Sequence, residues 1–157
     1  MKKIRLIAWA VLPALLLSLT LIVAQEAKKK RTPSPKGAMV YVVSPKEGET
    51  VKRKFKVIFG LNGMGICPAG ITAGDGSPLP NTGHHHLLVD VANLTPAGDP
   101  LPADQPTKIL HYGAGQTEAM LDLTPGKHTL QLVFADYAHV AHDPPVISEK
   151  VSITVSE

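Results

Sequence analysis

The chain reads as an all-β protein: an antiparallel β-sandwich of about seven strands, preceded by an N-terminal signal or anchor helix. Three observations predict it. Past residue 38, apolar residues recur at a period of two rather than 3.6. Proline and glycine, 14 and 13 of the 157 residues, fall in clusters that cut the sequence into pieces of strand length. No later segment carries an amphipathic helical stripe, which excludes helices packed on a parallel sheet.

The N-terminus is of a different kind. Lys2, Lys3 and Arg5 precede an apolar run from Leu6 to Ala24, broken only by Pro13, Ser18 and Thr20. That is the layout of an export signal, and it is also long enough to span a bilayer as an uncleaved anchor. Either way the protein is expected in the periplasm or outside the cell, held at the membrane by residues 6–24 if the segment stays. The formal net charge of +3 falls to zero without Lys2, Lys3 and Arg5. The basic patches that remain, Lys28–Arg31 and Lys52–Lys54, have no interleaved aromatics, so nucleic acid is excluded as a partner. A single cysteine, Cys67, precludes an internal disulfide, so the fold must rest on its core. Residues 25–38, charged and proline-rich, read as a disordered tether. The domain is expected over residues 39–157, and membrane contact only through the N-terminal segment.

The strands follow in order. "MVYVV" (39–43) is the first and ends at the turn "SPKEGET", where Gly48 frees the backbone. The second runs from Val51 to Leu61, with Phe55, Val57 and Phe59 on one face and Lys54 and Lys56 on the other. The glycine- and proline-rich stretch from Asn62 to Gly83 has no strand pattern, and a loop that long in a small domain suggests function. The third strand begins in the triplet His84-His85-His86: His85, Leu87, Val89 and Val91 share the inward face, His84, His86 and Leu88 the outward one. A proline-rich connection leads to a short fourth strand at Lys108–Tyr112, then a fifth at Gln116–Leu123. The turn Pro125-Gly126 introduces a sixth, Lys127–Ala135, with His128, Leu130, Leu132 and Phe134 inward. "HVAHDPPV" reads as a stiff turn into the last strand, Val146–Val155.

Chain direction in a sandwich of this kind collects six of the seven histidines at one end. The third strand starts there, the fourth ends there at His111, and the loop after the sixth holds His139 and His142. Neutral imidazole is the commonest transition-metal ligand, so His84, His86, His111, His139 and His142 are the candidate metal ligands. The long loop brings Met64 and Cys67 to the same end, and sulfur donors favour copper over zinc. His85 is expected to be structural, and so is His128. Asp143 and Glu118 are the only acids placed near that end, in no recognised catalytic spacing, so no enzymatic activity is expected.

"SPKEGETV" and "LDLTPGKHTLQLVFAD" resemble immunoglobulin-like and fibronectin-like domains, with His128 standing where many of those carry a corner tyrosine that caps the turn. "PNTGHHHLLVD", "GAGQTEAMLDLTPGKHTLQLVFAD" and "HDPPVISEKVSITV" together resemble the bacterial family catalogued as domain of unknown function 4399, over almost all of residues 40–155. The resemblance carries over to His84, His85, His86, His139, His142, Asp143 and Pro144-Pro145, and implies a small exported β domain without an assigned activity. The expected function is that of an immunoglobulin-like envelope module that binds a copper or zinc ion and meets another envelope protein. The competing expectation is an adhesion or interaction module that holds no metal.

Overall fold

Period-two alternation becomes ten strands in two sheets, seen in a computed structural model that describes residues 31–94, 98–102 and 105–157. The expected signal or anchor segment lies outside these residues. The smaller sheet has β3 (Lys54–Asn62) at its centre, paired antiparallel with β1 (Met39–Ser44) and β7 (Glu118–Asp122). The larger is built on the antiparallel pair β5 (Thr82–Val89) and β8 (Gly126–Ala135). Along the free edge of β5 lie the two-residue β4 (Gly65–Ile66) and then β6 (Ile109–Tyr112). Along the free edge of β8 lie β9 (Ala141–Ile147) and β10 (Val151–Ser156), with β2 (Thr50–Lys52) parallel to β10.

Two of the expected strands divide. The second breaks at Arg53, so that β2 joins one sheet and β3 the other, the way a strand turns the corner of a sandwich. The last resolves into β9 and β10, and β9 reaches back through the segment expected to be a turn. Its prolines are tolerated because Pro144 and Pro145 are exposed and outside the ladder. The register steps from Ala135 opposite Ala141 to Phe134 opposite Val146, so residues 142–145 bulge away from β8 and no amide is missed.

Between the sheets lies the main core. Val40, Val42, Phe55, Val57 and Phe59 come from the smaller sheet, and Leu87, Leu130, Leu132, Phe134, Ile153 and Val155 from the larger. Burying each large side chain contributes about 1.5–3 kcal/mol. A second, smaller core covers the other face of the larger sheet: Leu88, Ile109, Val133 and Ala135 pack with Leu101 and Ala141. Leu101 belongs to the proline-rich connection after β5, which folds back over the sheet. Residues 83–89 are therefore buried on both faces. The face of His84 and His86, expected to be outward, is sealed.

Residues 31–38, expected as the end of a tether, pack along β9. The amide of Ser34 donates to the carbonyl of Asp143 (3.1 Å), and the amide of Asp143 to that of Thr32 (3.0 Å). Arg31 pairs with the Asp143 carboxylate, and Ser34 Oγ donates to the carbonyl of Pro144 at 2.7 Å. Their backbone polar groups are satisfied by the domain, which is what orders the segment.

Candidate metal centre

His84 and His86 are two apart on β5, so their side chains leave the same face of the strand. His111 is the cross-strand partner of His86 on β6. His139 comes from the turn after β8, which starts beside His84, opposite Ala135. All six ring pairs among these four are in contact, with centroids 4.7 to 5.8 Å apart. One nitrogen from each ring can be chosen so that all four lie within 4.8 Å of one another. A tetrahedral ion with metal–nitrogen bonds near 2.0–2.1 Å needs them about 3.3 Å apart. The widest of these separations would have to shorten by about 1.5 Å on binding.

The backbone is shaped around these rings. A Cβ at Gly113 would lie 2.2 and 2.3 Å from Cε1 and Nε2 of His111, so the ring occupies space that only glycine leaves open. His139 has φ of +65°, the left-handed region that non-glycine residues enter rarely. Buried Asp136 holds it there. Its Oδ1 accepts from the amides of Ala138 (2.9 Å) and Val140 (3.1 Å), and its Oδ2 from the hydroxyl of Thr32 (2.7 Å). On the other side, the amide of Leu101 donates to the carbonyl of His139 at 2.9 Å. Strain retained under such constraint is found most often at functional sites.

Three of the four rings, His84, His86 and His111, are held below the ordinary histidine range. Burial, then the neighbouring rings of His139 and His111, push His84 from 6.5 down to about 4. Burial and the rings of His84, His111 and His139 push His86 down to about 2. His111 is lowered by burial and by His139. Neutral imidazole is the form that binds a metal ion. Both ring nitrogens of His84, and Nδ1 of His86, are buried with no hydrogen-bond partner among the described residues. Three such atoms side by side are far from the rule for buried polar groups.

The remaining sequence candidates lie elsewhere. His142, on the bulge of β9, turns its ring inward, with Nδ1 3.2 Å from the carbonyl of Phe134 and Nε2 3.1 Å from that of Thr82, and it is not one of the four. His85 sits in the main core between Phe59 and Phe134, its Nδ1 donating to the carbonyl of Gln116 at 3.2 Å. His128 bridges the turn after β7, with Nδ1 donating to Asp90 (2.7 Å) and Nε2 to the carbonyl of Thr124 (2.8 Å). Burial alone would lower its pKa, but these two bonds outweigh burial and raise it. Met64 packs against the main core, and the half-buried Cys67 is not one of the four either, so neither sulfur expected at that end is placed in the group among the described residues. Asp143 and Glu118 are engaged by Arg31 and Lys56. Sequence reasoning missed Gly113 and Asp136; "HYG" and the short loop "DYAHV" were the available signals.

No curated protein and no solved structure matches the chain. A family model does, over residues 57–156, a stretch that holds all four clustered histidines together with Gly113 and Asp136. By that match the chain belongs to the family described as Domain of unknown function (DUF4399).

Proposed function

We propose that the protein is an exported β-sandwich module that binds one divalent transition-metal ion, Cu(II) or Zn(II), through His84, His86, His111 and His139. Its role is to buffer or deliver that ion at the cell envelope, without catalysing a reaction. The observation that carries this reading is four imidazoles that can each bring one nitrogen within 4.8 Å of the others, two of them, His84 and His86, with buried nitrogens that lack partners among the described residues. Leaving such atoms unsatisfied costs about 1–3 kcal/mol each, and a shared ion, which takes one nitrogen from each ring, removes that cost for the nitrogens it binds. An all-nitrogen set takes away the preference for copper over zinc that rested on sulfur. Imidazole suits Cu(II) and Zn(II), and at equal geometry Cu(II) binds more tightly.

Equilibrium dialysis against micromolar copper or zinc, followed by elemental analysis, tests the proposal. One ion per chain is expected, lost in the double variant His84→Ala with His86→Ala and kept in His142→Ala. No retained ion, or retention unchanged in the double variant, would refute it.

A further inference from the structure

Beside the histidine group lies a cavity of about 500 Å³, within the range of small-molecule sites. Three of the four rings, His86, His111 and His139, line it, and His84 does not. An ion held by all four would therefore face the cavity on the side away from His84. The remaining wall is apolar, with Leu101, Pro102 and Pro106 prominent, and no charged side chain of the described residues lines it.

The charge balance is incomplete. Four neutral imidazoles leave the full +2 on a divalent ion. Asp136 is the acid that acts electrostatically on His84, and its oxygens already accept from Thr32, Ala138 and Val140. It offsets one charge from a distance and leaves one unbalanced on an ion that is buried on the side of His84 and His86 and meets the cavity on the side of His111 and His139. A charge left against an apolar wall is unfavourable, so a further anion is favoured there, and the open side of the ion is the cavity.

We propose that the cavity takes a small organic monocarboxylate, whose carboxylate adds a fifth ligand to the four imidazoles on the ion and whose apolar body lies against Leu101, Pro102 and Pro106. The inference rests on the four-histidine reading of the metal site. A bare inorganic anion would satisfy the charge but leave the apolar walls unused, and a neutral molecule would do the reverse.

The test uses purified protein loaded with one equivalent of Cu(II), the load verified by elemental analysis, and titrated with benzoate, formate and benzamide while the copper absorption and electron paramagnetic resonance spectra are followed. Benzoate is expected to shift both spectra and to bind at least about tenfold more tightly than formate, with no response to benzamide. Pro106→Trp, a change at an exposed position on the cavity wall, is expected to weaken benzoate about tenfold while leaving copper content and thermal stability unchanged. Pro102→Phe serves as a second filling variant. Copper retained with spectra indifferent to benzoate, or benzoate and formate binding alike, overturns the carboxylate site and leaves the metal reading standing. Failure to retain copper overturns both.

Discussion

Acidification should unfold the metal-free protein by a calculable amount. His84 and His86 are 0% and 2% exposed, and the fold holds their pKa values near 4 and near 2 against 6.5 for a free ring. Above pH 6.5 both the folded and unfolded chains carry neutral rings, and the contribution vanishes. As the pH falls below 6.5, the unfolded chain takes up protons that the folded chain refuses, so stability drops until the folded values are reached. At pH 5.0 each ring lies 1.5 units below its unfolded pKa, which costs about 2 kcal/mol, or roughly 4 kcal/mol for the pair. With a urea slope near 1.5 kcal/mol/M, the midpoint should move down by about 2–3 M between pH 7.5 and 5.0. The double variant His84→Gln with His86→Gln should lose most of that pH dependence, whatever its stability at pH 7.5. If wild type and variant show the same change in midpoint between the two pH values, the rings are not held neutral by burial and the electrostatic account of the site is wrong.

Other perturbations separate the site from its scaffold. Gly113→Ala should leave the fold intact, because the Cβ meets side chains alone, the far end of the His111 ring and, at 3.1 Å, the methyl of Ala69. It should weaken metal binding by at least about tenfold, seen as a normal thermal melt with reduced ion retention. Thr32→Val removes a donor from the buried Asp136 carboxylate and should cost about 1–3 kcal/mol in urea unfolding, with no loss if the N-terminal segment does not pack on the loop of His139. The His128–Asp90 pair behaves oppositely to the cluster: its contribution is complete below pH 6.5 and is lost as pH rises through the raised folded value. A titration of His128 by nuclear magnetic resonance should show that raised value in wild type, and Asp90→Asn should lower it.

Much of this arrangement was legible in the sequence, because alternation is a strong rule. Period two separated His84 and His86 from His85, and sandwich topology brought His111 and His139 to the same end. His142 escaped that logic: alternation predicts facing only within a regular ladder, and residues 142–145 leave the ladder as a bulge. The burial of the pair was not legible either. It depends on the connection after β5 folding back to place Leu101 over the sheet, a long-range contact that local periodicity does not encode. Likewise the polar composition of residues 31–38 gives no sign that β9 offers them backbone partners. Met64 packs against the main core, as expected of a methionine more suited to filling space than to ligating.

The central claim is that four imidazoles share one ion. X-ray absorption at the zinc edge of the protein loaded with one equivalent of zinc tests it most directly. The account predicts a first shell dominated by four nitrogen scatterers near 2.0–2.1 Å, with the outer-shell pattern of four imidazole rings and no sulfur near 2.3 Å. A shell of two or fewer imidazoles completed by water, or any sulfur contribution, would contradict it.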